Sequence, residues 1–216
     1  MKYILATILL LYSGYFSLNA CPIAKAKNTK EIRLSDGIVK LGTLQVGPKN
    51  QDPVVAFYRD GKVVFCSADY DTSPVDARAV AATADKEHLY VAFSTDGGAK
   101  HPKTFTRFTT AGWQESYGSG GGAKVLVILK IRKADGVAVS GTYITAKKQD
   151  GRTNSVALKK IEYANNSVKL TADSWYSPLK TDKTAYECSG PSPFVYTLQL
   201  SADLATAMST AAPQCR

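Results

Sequence analysis

A chain that carries several copies of one pattern must fold each copy alike and bury the copies against one another. Three segments of this chain align. They are VGPKNQDPVVAFYRDGKVVFCSADY from Val46, YGSGGGAKVLVILKIRKADGVAVSGTYI from Tyr117 and SGPSPFVYTLQLSADLATAMSTAA from Ser189. Their leading glycines, Gly47, Gly118 and Gly190, stand 71 and then 72 residues apart. Between them AVAATADKEHLYVAFST (79–95) matches LKKIEYANNSVKLTADS (158–174) at an offset of 79, and EIRLSDGIVKLGTLQ (31–45) has the same strand–turn–strand form. Runs rich in Val, Ile, Leu, Tyr and Phe are separated by Asp-Gly turns at 36–37, 60–61, 135–136 and 150–151, the pair that suits tight hairpins because both central residues need positive φ. The alanine-rich segment 75–84 reads as strand or loop. Each unit is therefore two hairpins. The expectation is an all-β fold of about twelve antiparallel strands in three propeller-like blade units, about 31–74, 75–150 and 151–216, since four antiparallel strands repeated radially is the plan of a propeller blade.

The first residues, MKYILATILLLYSGYFSLNA, have a charged start, an apolar middle and small residues near Ala20, the layout of an export signal. Residues 1–20 are expected to be that signal and 21–30 a linker. LNAC also resembles the site at which bacterial lipoproteins are cut before a lipidated cysteine, so Cys21 has two readings, a lipid anchor or a disulfide. Lys and Arg exceed Asp and Glu by nine. That surplus favours anionic partners, although it is spread along the chain.

Export permits disulfides. Cys188 and Cys215 are equidistant from Ser201 and Ala202, where a strand pair would turn, so they are expected to face each other and to bond. Cys21 and Cys66 then pair by default. A Cys-x-x-Cys spacing is absent and neither histidine lies near a cysteine, so no metal and no cofactor is expected.

FTRFTTAGWQESYGSGGGAKVLVILKIRKADGVAVSGTYI (105–144) resembles the bacterial beta-propeller repeat known as SBBP. The matching pieces are Phe108-Thr109-Thr110, Trp113-Gln114, the run Gly118 to Gly122, the strand ending at Lys130-Ile131, Asp135-Gly136 and Gly141-Thr142-Tyr143. HLYVAFST (88–95) resembles the strand that precedes it in that family. The match covers 79–144; the first unit lacks the glycine cluster and the third lacks the Gly-Thr-Tyr strand. The resemblance implies an exported, surface-associated binding or structural module and transfers no catalytic residue. Three blades are fewer than a closed ring ordinarily has, which leaves a second copy completing the ring or an irregular all-β body.

The glycine run followed by Lys124 lacks the Ser or Thr after the lysine and the helix that a phosphate loop requires; it reads as the turn that launches a strand. His88 and His101 read as surface histidines, and Asp69 and Asp71 as parts of a turn rather than a calcium loop. Paired asparagines at 165–166 read as a turn. The group with chemistry to offer is aromatic and basic: Trp113, Tyr117, Trp175 and Tyr176, with Lys147, Lys148, Arg152, Lys159 and Lys160. Planar rings stack on sugar faces and cations hold acidic groups, so the set could take an anionic glycan; equally, such aromatics pack between sheets and lysines protect strand edges.

The expectation is a secreted or envelope-associated binding module, without catalysis, for a surface polymer or a partner protein, and not for nucleic acid. The alternatives are a structural component of the envelope and a glycan-active enzyme.

Overall fold

The structure, a computed structural model, describes residues 21–97 and 101–216; the signal expected at 1–20 lies outside them. The chain is all-β. It opens with a 3-10 turn at Pro22–Lys25, then β1 (Lys27–Leu34), β2 (Gly37–Gly47), β3 (Asn50–Arg59) and β4 (Lys62–Ser67). A second set is β5 (Ala77–Ala84), β6 (His88–Thr95), β7 (Val125–Arg132) and β8 (Ala138–Ile144). After the two-residue strands β9 (Ala146–Lys147) and β10 (Thr153–Asn154) come β11 (Val156–Ala164), β12 (Ser167–Ser174), the short β13 (Ser177–Pro178), β14 (Phe194–Ser201) and β15 (Ala207–Ala211). The long strands form three four-stranded antiparallel meanders, β1-β2-β3-β4, β5-β6-β7-β8 and β11-β12-β14-β15; the short ones make a small sheet ordered β10-β9-β13. The sheets do not close into a ring.

Local chemistry accounts for the hairpins. Asp60-Gly61 and Asn165-Asn166 both hold two successive positive φ values, 50° and 72°, and 50° and 55°, the conformation that a two-residue hairpin loop needs and that Asn, Asp and Gly tolerate. The asparagine pair is thus the turn between β11 and β12. Segment 77–84 is strand, its alanines lying against both neighbouring cores.

Burial explains the pattern of each run. Leu89, Val91, Phe93, Val125, Val127 and Leu129 on one face of the second sheet pack with Val39, Leu41, Val55 and Phe57 of the first. Tyr90, Ala92, Leu126 and Ile128 on its other face pack with Val168, Leu170, Tyr196 and Leu198 of the third. A sheet covered on both sides has no solvent face, and β6 and β7 are correspondingly apolar without alternation. In β12 and β14 every second residue is exposed or half-buried, among them Lys169, Thr171, Thr197 and Gln199, because the third sheet's outer face meets water.

The outer face of the first sheet carries Val54 and Ala56, and residues 21–26 cover it through Ile23. The expected linker at 21–30 is therefore wrong: its first half is a cover and its second half belongs to β1. Apolar side chains on an end sheet need shelter from water, and the Cys21–Cys66 disulfide ties that shelter to β4. Gly42 permits the close approach, since a Cβ there would stand 2.6 Å from that of Ala26. Cys188 and Cys215 face each other and are bonded as expected. Two disulfides fit an oxidising compartment, and among the described residues no helix is long and apolar enough to cross a membrane.

The three meanders share a finer feature. Each first strand bulges by one residue against its partner, between Lys27 and Lys30 in β1, at Val80 in β5 and at Lys159 in β11. Each fourth strand does the same, at Val64, Val139 and Met208. Bulges bend a strand and interrupt its edge, so equivalent edges are interrupted in all three units.

Between the first and second sheets the buried ammonium of Lys133 donates to both carboxylate oxygens of Asp36, at 2.8 and 3.0 Å, and to the Asp85 carbonyl at 2.8 Å. Burial alone would raise the Asp36 pKa; hydrogen bonds and charge from Lys133, then Arg59, outweigh it and hold the carboxyl below its ordinary range. Tyr70 adds a hydroxyl donated to the Gly136 carbonyl at 2.9 Å. Lys133→Ala removes the buried partner of a partly exposed Asp36 that Arg59 still holds, so it is expected to cost about 1–3 kcal/mol in urea unfolding. Lys133→Met, which keeps the stem, should recover only the packing part of that loss, and a Met variant as stable as the parent would show that the ammonium contributes nothing beyond its packing.

Asp52 on β3 is buried with Oδ1 unpartnered. Burial, then the negative charge of Asp71, push its carboxyl up to about 6 from 3.8. An acid whose folded pKa lies above its unfolded value stabilises the fold at low pH and ceases to do so as pH rises through the folded value. Stability is thus expected to fall between pH 4 and 6 from this group. Asp52→Asn should be more stable than the parent at pH 7, by about 1–3 kcal/mol, with the gap closing near pH 4; a gap independent of pH would contradict the assignment.

Candidate functional site

The connections between second and third strands differ greatly among the units. They are residues 48–49 in the first, 96–124 in the second and 175–193 in the third, so the leading glycines Gly47, Gly118 and Gly190 all fall at this junction. The long connections gather at one end of the sheets beside the small sheet. Loops held on a rigid scaffold are where binding groups concentrate.

Two clefts open at this end. The first, of about 720 Å³, has an apolar floor of Val80, Leu126, Val156 and Leu158 and is rimmed by Lys30, Lys124 and Lys159. Three of its lining residues, Lys30, Val80 and Lys159, lie at the bulges of the three first strands, which brings them together where β1, β5 and β11 run side by side. The second cleft, of about 730 Å³, is lined by Lys148, Asp150, Arg152, Ser192 and Phe194 among others. Trp175 and Tyr176 line both clefts. They are 40% and 43% exposed, and together they form the ridge between the two hollows.

Lys30 donates to the Val80 carbonyl at 3.1 Å, and Lys148 stands over the Tyr176 ring, 5.6 Å from its centroid. Among the described residues neither these two ammonium groups nor those of Lys124 and Lys147 have a carboxylate within ion-pair distance, whereas Arg152 is paired with Asp150 at 2.7 Å, Lys159 with Asp173 at 2.8 Å and Lys160 with Glu162 at 2.7 Å. The backbone and side-chain hydrogen bonds from Arg152 hold the exposed Asp150 carboxyl below its ordinary range. The excess charge of this end is therefore cationic and lysine-borne.

Of the residues expected to bind, Trp175, Tyr176, Lys148 and Arg152 meet in one place. Trp113 and Tyr117 do not join them. Trp113 is 3% exposed and packs with the core of the second and third sheets, its indole N–H donating to the Thr181 carbonyl at 3.0 Å. Tyr117 is 2% exposed in the other core and its hydroxyl donates to the Ala123 carbonyl at 3.0 Å. Both side chains turn inward because a large ring gains more by leaving water than by lying on the surface, and these two aromatics are core. Lys147 lies under the glycine loop rather than in either cleft, with its Nζ 3.2 Å from where a Gly118 Cβ would stand.

Gly118, Gly120 and Gly122 hold φ near 92°, 93° and 79°, and a Cβ on Gly118 would stand 2.6 Å from Thr153 Oγ1. The run is a folded loop lying on the small sheet. Sequence reasoning missed Lys30, assigned to a linker, and passed over Lys124 as a failed phosphate loop; its position directly after the glycine run was the signal available. The floor residue Val80 left no signal, being one more apolar residue in a strand.

A polar hollow of about 760 Å³ sits at the far end of the same first strands. Its charges are largely spoken for: Lys133 holds Asp36, and His88 Nδ1 lies 3.4 Å from Asp85. Asp71 is interior, accepting from the Ser73 N–H at 3.0 Å, and the described residues contain no cluster of metal-ligating side chains. Comparison with known proteins finds no matching family model, curated protein or solved structure.

The two tryptophans are expected to behave oppositely. Trp113→Ala should lose about 3–5 kcal/mol of unfolding free energy, and Trp175→Ala less than about 0.5 kcal/mol. Iodide should quench Trp175 and spare Trp113; comparable quenching of both would place Trp113 at the surface.

Proposed function

We propose that this protein is a non-catalytic binding module working outside the cytoplasm, whose three meanders are propeller-like blades in an open arc and whose ligand is anionic and lies in the first cleft. The observation that carries the reading is the convergence of three equivalent bulges on one apolar floor, rimmed by lysines and closed at one end by Trp175. Concave sites that combine an apolar floor with a few placed polar groups are the usual form of ligand pockets. The net positive charge draws anions toward it. Both disulfides support an exported location, and the bonded Cys21 sulfur favours the disulfide reading of that residue over the lipid anchor.

Two observations favour this over the alternatives. The outer face of the third sheet is polar and that of the first is already covered, so neither end presents the bare apolar surface that another blade would bury. That weighs against a second copy completing a ring. The carboxylates beside the clefts, Asp150 and Asp173, are engaged by cations, which suits charge balance rather than acid–base work.

The test is calorimetric titration with an acidic polysaccharide, polygalacturonate, at low and high salt. Lys30→Ala/Lys124→Ala is expected to weaken binding by about 5–20-fold at low salt, with the loss shrinking as salt rises. Unchanged affinity would remove the first cleft from the reading.

A further inference from the structure

We infer that the ligand is a linear acidic glycan several units long that straddles the Trp175–Tyr176 ridge and occupies both clefts at once. The inference rests on the reading of the first cleft as the binding site and extends it.

Three observations support a straddling chain. The clefts are nearly equal in size, and Trp175 and Tyr176 line both, so a chain leaving one hollow across the ridge enters the other. Cations with no carboxylate partner among the described residues flank the ridge on both sides, Lys30 and Lys124 in the first cleft and Lys148 in the second. Each hollow alone has the volume of a site for a drug-sized ligand; a single sugar would leave one side of the ridge, and its cation, without a role.

The cation type selects among polyanions. The free cations flanking the ridge are lysines, and the one arginine, Arg152, is committed to Asp150. Bidentate phosphate recognition favours arginine, whereas ammonium groups act as point charges. A few separated ammonium groups around an aromatic ridge match a chain with roughly one carboxylate per ring, and the two exposed rings offer flat apolar surface to sugar faces. A nucleic acid duplex would bring a denser run of charge, about one per 1.7 Å of axis, than these cations balance.

The experiment titrates the full chain with oligogalacturonates of two to eight units at fixed salt. Affinity is expected to rise by about tenfold or more from the dimer to the hexamer and then level off, because joining two occupied subsites makes the second contact intramolecular. Lys148→Ala in the second cleft should weaken the hexamer as Lys124→Ala does in the first, and Trp175→Ala should reduce the hexamer toward the affinity of the dimer. A dimer that binds as tightly as the hexamer, with Lys30 and Lys124 still required, would overturn the straddling chain and leave the first cleft standing. A silent Lys148→Ala would do the same. Tighter binding of a single-stranded oligonucleotide of equal charge would overturn the glycan assignment, and no binding of any oligomer would overturn both readings.

Discussion

The middle sheet is apolar on both faces, and that constraint organises the molecule. Leu89, Val91 and Phe93 look one way and Tyr90 and Ala92 the other, so the sheet cannot stand with one side in water. Burial of apolar surface is non-directional; stacking alone would let the sheets slide. Direction comes from polar ties between them: Lys133 to Asp36, the Tyr70 hydroxyl to the Gly136 carbonyl, and, toward the third sheet, the Tyr163 N–H to Thr83 Oγ1 at 3.1 Å. These contacts fix the register in which the first strands lie side by side, and the first cleft exists only in that register.

The two ends of the stack are finished differently. The third sheet presents alternating polar residues to solvent, as terminal repeats do in stacked architectures. The first sheet instead keeps Val54 and Ala56 and borrows a cover from the preceding segment, held by a disulfide. A cover of so few residues has little of its own to bury, and a covalent tie offsets the entropy of keeping it in place.

What was legible in the sequence was local. Strand runs, the Asp60-Gly61 turn and the Cys188–Cys215 pairing each depend on residues near one another in the chain or symmetric about a turn, and they were readable for that reason; at 36–37 the pair is shifted by one, with Gly37 already in β2 opposite Leu34. Trp113 and Tyr117 kept two readings, cleft or core, because an aromatic in a polar loop looks the same whether the loop folds outward or inward; only the space over the sheet edges decides. Half of the candidate site was visible as Trp175, Tyr176, Lys148, Arg152 and Lys159. The other half depended on bulges, and one extra residue in Ala79-Val80-Ala81 does not disturb an apolar pattern enough to be seen. Lys30 and Lys159 are distant in sequence, and nothing short of the stacked geometry relates them.

The unequal junctions between second and third strands have a consequence for how such a protein can change. In the first unit the junction is Pro48-Lys49 between Gly47 and Asn50; in the others the same slot holds a long excursion, while the first-to-second and third-to-fourth turns stay short throughout. The long excursions carry Trp175 and Tyr176 but, apart from their inward anchors, little of the stacked core. The architecture therefore separates two kinds of inheritance. Strands and bulges are copied from unit to unit to preserve the stack, and the junction behaves as an exchangeable cassette in which length and composition can vary, so that new specificities could arise by rewriting one end of the molecule without re-solving its folding.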